Sequence, residues 1–470
     1  MANAQLNVKF ITNRRGGQNL SFQGFIYRIH RRTDTKLFWR CVVAGCSAGL
    51  STENNVPVGF GRQLHAHPAD HTEVVAKQIM NQISRRCTEE VKPIPSIFTE
   101  ELNKLRDNEW DDTSREVIEG LPTFNTARSS LYRARRKQTP PLPKTAADIR
   151  LEGKWTETET GENFLLLDDT VHNSRILAFA TTDNLRDLAA SETFFCDGTF
   201  YTCPSLFHQI YTIHILSDDV MTPVVYALLP GKSQAIYTRF FTHLQDKIND
   251  LGLQFLPTCA LADFETAVHN SIREVFPGVT TKGCFFHFTQ AIWRKAQHSG
   301  LQIPYKEDDD VKTLVRRAAV LPLVPLDCIE DVWFRALEDR DEADLTQATE
   351  SFTDYVTEQW VNGDRLLWNH FGTEGPRTNN SLEGWHGKLK RIAQHAHPNI
   401  FVVVKMFKDI QNAKEIQKIQ REAGGSIRPP AKKYATIKRR LQLLKERYQQ
   451  GIIDLMTYTD SASELLHLGQ

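Results

Sequence analysis

The sequence has no long hydrophobic run, no net charge, and few cysteines or methionines. No apolar stretch approaches the ~18 residues that a membrane-spanning helix requires, and no secretory apolar segment stands at the N-terminus. The 470 residues include 8 Cys and 5 Met, and 57 Lys and Arg balance 57 Asp and Glu. We therefore expect a soluble intracellular protein without a membrane partner, whose cysteines serve as thiols or metal ligands rather than disulfides.

The zero net charge hides an uneven distribution along the chain. Residues 1–71 contain 9 Lys and Arg against 3 Asp and Glu, and residues 384–450 contain 16 against 4. Acidic residues concentrate elsewhere, notably at 307–310 and 338–344. Basic segments at both ends favour a polyanionic partner.

Residues 191–204, SETFFCDGTFYTCP, place one carboxylate, Asp197, within an apolar β-forming run. The aromatic and β-branched neighbours predict a buried strand. A buried carboxylate is unfavourable without a cationic partner, so a cation is expected beside Asp197. The alternative is a Cys-Asp-Gly-Thr turn in which the Asp197 side chain accepts from backbone donors.

The elements after Asp197 follow a recognisable order. Apolar alternation predicts two strands, at 206–216 and 222–229, and helical spacing follows from 236 to 251. A short strand at 258–262 then ends on Asp263, and a second helix begins at once. This β-β-β-α-β-α order is the ribonuclease-H-like pattern, in which the first and fourth strands are neighbours. The two aspartates would then lie side by side at the ligand-binding crevice of an open α/β sheet.

Two adjacent carboxylates repel each other unless a divalent cation lies between them, and hard oxygen ligands suit Mg²⁺ or Mn²⁺. A third acid is normally required, and the best candidate is Glu383, on a helix that opens at Asn380. Asn380 followed by Glu383 also resembles a capping box, which explains a glutamate there without any metal. The two roles can coexist.

The first 68 residues predict a small β-rich unit with Gly-rich turns. A unit this short builds a weak core, so a metal would stabilise it. Cys41-x4-Cys46 has thiolate spacing typical of zinc sites, and His65-x-His67 would direct both imidazoles to one side of an extended segment. This soft ligand set selects Zn²⁺. His71 is an alternative fourth ligand, and an incidental group of Cys and His is the alternative to a metal site.

Four short motifs resemble the Mutator-like element (MULE) transposase domain over roughly residues 184–400. They are CDGTF at 196–200, ADFE at 262–265, GCFFH at 283–287 and NNSLEGWH at 379–386. The resemblance implies a DDE triad of Asp197, Asp263 and Glu383 that holds two Mg²⁺ or Mn²⁺ ions. It also implies that Cys284 and His287 lie beside the active site; the alternative is a buried thiol and a core histidine on the fifth strand.

The N-terminal unit resembles a FLYWCH zinc finger, and the resemblance implies zinc bound by Cys41, Cys46, His65 and His67. The residues that carry it are Phe10, Leu20, Tyr27, Trp39 and the four Cys and His residues just named. DNA contact through surplus basic residues is the favoured role, and protein binding is the alternative. Those basic residues are Arg14, Arg15, Arg28, Arg31 and Arg32.

The linker and the insertion are predicted to be helical, whereas residues 164–167 and 175–180 are predicted strands. Residues 98–110 and 124–137 form helices in a linker, and the second ends in Arg133, Arg135 and Arg136 before a Pro-rich boundary at 139–144. This basic helix contacts DNA phosphates, acts as a nuclear import signal, or is a solvated helix end. Helices at 311–320, 329–337 and 345–360 form an acidic insertion, interpreted as a platform or dimer surface.

Tryptophans and a basic C-terminal region complete the candidates. Trp360, Trp368 and Trp385 are either core residues or stack on an extruded base, and Trp385 with His386 neighbours the predicted ligand Glu383. Basic helices after residue 400 favour phosphate contact. Lys388, Lys390 and Arg391 are further candidate DNA contacts.

The resulting prediction is an α/β protein with a ribonuclease-H-like mixed sheet and an all-α insertion, preceded by a small β-rich zinc finger and a helical linker. The segments are a zinc finger (1–75), a linker (76–148), a catalytic core (149–297 and 373–400), an insertion (298–372) and a basic helical arm (401–470). We expect a nuclear DDE transposase that cleaves and joins double-stranded DNA at transposon ends and target, as a possible homo-oligomer. The alternatives are a domesticated, non-catalytic regulator, a ribonuclease-H-like nuclease without strand transfer, and a protein-binding zinc module with an inert domain.

Overall fold

The chain folds into two compact units, residues 1–142 and 143–470. The computed structural model describes the chain except residues 1–7, 14–15, 91, 107–110, 139, 218–219, 340–345, 374–379, 394, 426–431, 467 and 469–470, and the side chains of 138, 380, 381, 383 and 432–434. Among the described helices, none has both the length and the apolar character needed to span a bilayer.

The first unit begins with a six-stranded antiparallel sheet whose strands are paired in chain order. Its strands are β1 (Lys9–Thr12), β2 (Gln18–Phe22), β3 (Phe25–Arg32), β4 (Leu37–Cys41), β5 (Gly49–Glu53) and β6 (Val56–Phe60). The turn between β5 and β6 is Asn54–Asn55, both with positive φ (50° and 65°), as a two-residue hairpin requires. Trp39, Leu20 and Leu50 form the buried core on one face of this sheet. The predicted β-rich unit is confirmed.

Helices follow the sheet within the first unit. They are α1 (His71–Glu89), α2 (Ile94–Asn103), α3 (Asp112–Glu119) and α4 (Phe124–Gln138). Ile83, Ile97 and Leu131 are buried where α1, α2 and α4 meet. The predicted helix at 98–110 is wrong in its bounds, because α2 starts four residues earlier with Pro95 in its first turn, where proline is tolerated.

The second unit is built on a seven-stranded mixed sheet with the order β13-β12-β9-β10-β11-β8-β7. The strands are β7 (Leu165–Val171), β8 (Ser174–Phe179), β9 (Thr193–Thr199), β10 (Gln209–Ser217), β11 (Val220–Leu229), β12 (Cys259–Ala262) and β13 (Thr280–Gly283). β9, β10 and β11 form the predicted antiparallel meander. β12 runs parallel to β9 and pairs directly with it, which confirms that these two strands are neighbours.

Helices cover both faces of this sheet. Those that follow β8, β11 and β12 are α5 (Thr182–Ala189), α6 (Gln234–Asp250) and α7 (Thr266–Val275). Phe194 and Cys196 of β9 are buried in one core with α6 and α7. The opposite face is covered by α14 (Asn380–Ala393) and by the first half of α15 (Ile400–Glu422), where Phe401 and Phe407 are buried.

A second, all-helical core lies beside the sheet in the same unit. It comprises α8 (Phe285–His298), α9 (Pro304–Glu307), α10 (Asp309–Val320), α11 (Ile329–Glu338), α12 (Gln347–Val356) and α13 (Arg365–Trp368), with α16 (Lys432–Gln449) and α17 (Leu455–Ser463) packed against it. The predicted insertion helices are confirmed. The helices after residue 400 pack against both cores. Apolar residues of α15 cover a face of the sheet, and those of α16 and α17 pack on the helical core.

Candidate active site and zinc site

Asp197 lies in β9 rather than in a turn, and its side chain is only 5% exposed. Glycine at the next position leaves room for Gln209, because a Cβ on Gly198 would lie 2.2 Å from its side-chain oxygen and would require that side chain to shift. The Gly198 backbone N–H donates to Oδ1 of Asp197 at 2.7 Å. The Asp-Gly pair is therefore part of the strand, and its backbone N–H orients the carboxylate of Asp197.

Asp263 follows the last residue of β12 and lines the same crevice as Asp197. Its backbone carbonyl accepts from Nε2 of the buried His269 at 2.6 Å, which fixes the chain as it leaves the strand. The neighbouring strand ends in Gly283, where a Cβ would lie 2.1 Å from the ring of Phe264, so a larger residue would displace this ring. The parallel pairing of β12 with β9 brings the two aspartates together.

The electrostatics of the pair are unfavourable without a cation. Burial, and then the charge of Asp263, raise the pKa of Asp197 to about 8. His287 offsets part of this, since its Nδ1 lies 2.9 Å from Oδ1 of Asp263. Burial lowers the pKa of His287, but its contacts with Asp263 and Cys284 prevail and raise it to about 11. An imidazolium therefore stands beside the carboxylates.

The alternative is wrong in placing Cys284 and His287 on the fifth strand, but Cys284 is a buried thiol as it proposed. β13 ends at Gly283, Cys284 caps the N-terminus of α8, and His287 lies in its first turn. The buried carbonyl of Gly283 accepts from Nε2 of His370 at 2.7 Å, which ties the end of the insertion to this strand.

Helix α14 crosses the sheet over the same strands. Leu382 is fully buried against Phe195 of β9 and Leu261 of β12. One turn later, Nδ1 of His386 lies 3.7 Å from Oδ2 of Asp197. Burial lowers the pKa of His386 to about 4, so this imidazole is neutral. Glu383 belongs to α14, three residues before His386, and its side chain lies outside the described residues.

The wall of the crevice contains polar residues that the sequence analysis missed. Glu265 accepts from Tyr237 Oη at 3.1 Å and from Lys232 Nζ at 2.9 Å, and Gln209 Nε2 donates to the same tyrosine oxygen at 2.7 Å. These four residues line the crevice with the two aspartates. Glu265 stands two residues after Asp263, and this spacing could have indicated it.

The three candidate tryptophans are core residues. Trp360, Trp368 and Trp385 are 5%, 2% and 8% exposed. Trp360 and Trp368 pack around Phe288 in the helical core, and Trp385 packs against His214 and Tyr226. Burial on the sheet excludes a DNA base from the ring of Trp385, although it precedes His386 in the helix.

The first unit brings together the four predicted zinc ligands. One ligand atom from each of Cys41, Cys46, His65 and His67 lies within 4.8 Å of every other. Cys41 Sγ is 3.2 Å from His67 Nε2, Cys46 Sγ is 3.5 Å from His65 Nδ1, and the two nitrogens are 3.3 Å apart. Zinc–ligand bond lengths in a regular tetrahedron give nitrogen–nitrogen and nitrogen–sulfur edges of about 3.3–3.6 Å. The cluster fits Zn²⁺, and His71 is not part of it.

Both histidines are held from behind. Tyr27 Oη lies 2.8 Å from Nε2 of His65, and the carbonyl of Pro68 lies 2.9 Å from Nδ1 of His67. The ring of Phe25 stacks on His65 at 3.6 Å between centroids. Partners on the outer nitrogens fix the tautomers that direct His65 Nδ1 and His67 Nε2 at a metal.

The candidate DNA-contacting residues separate into exposed and buried groups. Arg135 points inward and donates to the carbonyls of Cys87, Glu90 and Lys92, which end α1 and precede α2. Its placement does not support DNA contact. The exposed cations are Arg28, Arg31, Arg32, Arg133, Arg136, Lys390 and Arg391, whereas Lys388 is half-buried. Arg14 and Arg15 lie outside the described residues.

Two family models match this chain. The MULE transposase domain matches residues 193–291, from the start of β9 into α8. The matched part of this domain contains Asp197, Asp263, Cys284 and His287 and ends before α14.

The FLYWCH zinc finger domain matches residues 10–67, which include all four ligands of the Cys and His cluster. No curated protein matches the chain at a significant level. Together, the two domains indicate a transposase-related DNA-binding protein with a structural zinc site.

Proposed function

We propose that the protein is a DDE-type transposase of the MULE family, built on a ribonuclease-H-like core, that cleaves and joins DNA with divalent cations. The observation that carries the proposal is the crevice between β9 and β12, where Asp197 and Asp263 meet under the helix that carries Glu383. Positions three apart lie on the same side of a helix, and His386 reaches Asp197. Glu383 is therefore the best candidate for the third acid.

The described carboxylates fit a hard divalent cation. Asp197 is buried and interacts directly with Asp263, which raises its pKa to about 8. A cation between the two oxygens would remove this repulsion and hold both groups ionised. Oxygen ligands of this kind suit Mg²⁺ or Mn²⁺.

Asp197 and Asp263, with Glu383, would hold such ions, which would supply activation of the attacking oxygen and stabilisation of the leaving 3′-oxygen. The residues of the chain position the carboxylates. Gly198 N–H holds one Asp197 oxygen, and His287 holds one Asp263 oxygen. The crevice orients a phosphodiester in line, for attack first by water and then by a freed 3′-hydroxyl.

DNA binding outside the crevice is proposed for the first unit. Arg28 and Arg40 are exposed and directly opposite each other on β3 and β4, an unfavourable pair unless an anion lies between them. Helix α4 carries exposed Arg133 and Arg136, and its sequence contains no Asp or Glu. A chromosomal DNA substrate implies a nuclear location.

The test is an incubation of the full chain with oligonucleotides that carry the inverted repeats flanking its gene, with Mn²⁺. We expect nicked ends and joined products. Asp197→Asn should abolish both while DNA affinity changes less than about twofold. Asp250→Asn is the matched control, because Asp250 is an exposed carboxylate at the end of α6.

The outcomes separate the alternatives. Nicking without joining favours a ribonuclease-H-like nuclease, and DNA binding without nicking favours a non-catalytic regulator. Normal nicking by Asp197→Asn would refute the proposed role of the carboxylate.

A further inference from the structure

Two consecutive aromatic side chains are exposed just beyond Asp197. Phe200 and Tyr201 follow the end of β9 and are 43% and 41% exposed. They differ in this from the three tryptophans, which are buried in the cores. Exposed aromatic faces this close to the carboxylates are available to a bound molecule.

A lysine lies over each ring, and one of the two, Lys232, lines the crevice. Nζ of Lys232 is 4.6 Å from the ring centroid of Phe200, and Lys232 lines the crevice with both aspartates. Nζ of Lys390 is 4.8 Å from the ring centroid of Tyr201. Lys390 is one turn beyond His386 on α14. Phe200 therefore lies beside a lysine of the crevice wall, and Tyr201 lies beside helix α14.

The backbone under the two rings is held in place. The carbonyl of Tyr201 accepts from the N–H of His397 at 2.9 Å, and that of Phe200 accepts from the N–H of Cys203 at 3.1 Å. Cys203 is itself buried beneath the loop. The rings are thus presented on a fixed loop, which reduces the entropy lost on binding.

We propose that Phe200 and Tyr201 form a stacking subsite for a DNA base that is displaced from the duplex beside the scissile phosphate. Lys232 and Lys390 contact the neighbouring phosphates. A base in a paired duplex keeps both faces stacked on its neighbours, whereas an unpaired base beside the scissile phosphate has a face free to lie on an aromatic ring. Aromatic side chains accept any base on their faces, and lysines match the backbone charge. The inference rests on the proposed function, because it assigns the occupant of the same site.

The experiment measures binding without divalent cations, so that no cleavage occurs. Two duplexes of the same sequence carry 2-aminopurine at one position, either fully paired or unpaired beside a nick. We expect the full chain to bind the unpaired probe at least about fivefold more tightly than the paired one, with quenched fluorescence. Phe200→Ala and Tyr201→Ala should each remove most of this preference.

Two further variants separate stacking from folding. Tyr201→Phe keeps the ring and should retain the preference. Phe334→Ala removes an exposed phenylalanine of α11 and should also retain it. The thermal unfolding midpoint of each alanine variant is measured beside that of the wild type, and Phe200→Leu, which is apolar but has no ring, replaces Phe200→Ala if the latter unfolds.

Equal affinity of the wild type for the two probes would overturn the subsite, as would an unchanged preference in both alanine variants. A protein that fails to nick DNA but keeps the ring-dependent preference would contradict only the transposase proposal. A protein that nicks but shows no preference would contradict only the stacking subsite.

Discussion

The two units bury their polar groups in opposite ways. In the first, the Cys and His cluster is arranged as a tetrahedron, and the outer nitrogen of each histidine already has a partner. In the second, burial disfavours the charged forms of two side chains. It raises the pKa of Asp197 to about 8 and lowers the pKa of Lys414 to about 8. The first arrangement stabilises a fold, whereas the second reduces stability and is typical of sites kept for function.

The largest expected effect is loss of the first unit on removal of zinc. Chelation, or Cys41→Ser, should unfold its sheet, because structural zinc contributes about 10–16 kcal/mol to comparable fingers. Hydrogen exchange should then be fast in β3–β5 and remain slow in β9–β11. Unchanged protection of β3–β5 after chelation would show that this unit, like the second, is stable without a metal.

The second effect is a pH-dependent loss of folding stability caused by burial of Lys414. Its side chain contacts Asn184 in α5. Its folded pKa of about 8 lies below the unfolded value of 10.5, so the unfolded state binds more protons between these values and stability rises with pH. At pH 7, Lys414→Met should be about 2–3 kcal/mol more stable than the wild type, and most of this gap should close by pH 10. Urea unfolding of both proteins at the two pH values measures the gap. A gap independent of pH would contradict the assigned cause.

A third effect comes from the acidic pair. In metal-free protein, Asp197→Asn should stabilise the second unit by about 1–3 kcal/mol, because it removes a buried carboxylate that faces Asp263. Addition of Mn²⁺ should stabilise the wild type and not the variant. Thermal unfolding with and without Mn²⁺ tests both statements, with Asp250→Asn as the exposed control. If Asp197→Asn were less stable than the wild type in metal-free buffer, the carboxylate would stabilise the second unit, as the zinc ligands stabilise the first.

The smallest effect concerns the outer contact of the zinc site. Tyr27→Phe removes the hydroxyl 2.8 Å from His65 Nε2 and should lower zinc affinity about tenfold while the sheet stays folded. Competition with a chromophoric chelator gives the affinity. Tyr132→Phe is the control, because this tyrosine is exposed on α4 in the same unit. Equal affinities of wild type and Tyr27→Phe would show that the ligands alone orient the imidazoles.

Sequence reasoning succeeded where a local residue pattern was compatible with only one type of secondary structure. The β-forming run around Asp197 matched β9, and the helical spacing from 236 to 251 matched α6. Sequence reasoning failed where residues distant in the chain determine whether a side chain is buried or exposed. Trp385 and Arg135 occupy sequences that favour nucleic-acid contact, yet one is packed on Tyr226 and the other caps carbonyls beyond α1. Nothing local distinguishes an inward arginine from the outward Arg133 and Arg136.

The sequence by itself determined the order of elements, the spacing of the zinc ligands and the two aspartates at strand ends, because hydrophobic periodicity and ligand type are local properties. Only the tertiary structure decided which groups meet. Parallel pairing of β9 with β12 brings Asp197 to Asp263, and the passage of α14 across them adds His386. Such meetings depend on strand register and helix packing over long separations, which no short stretch of residues encodes.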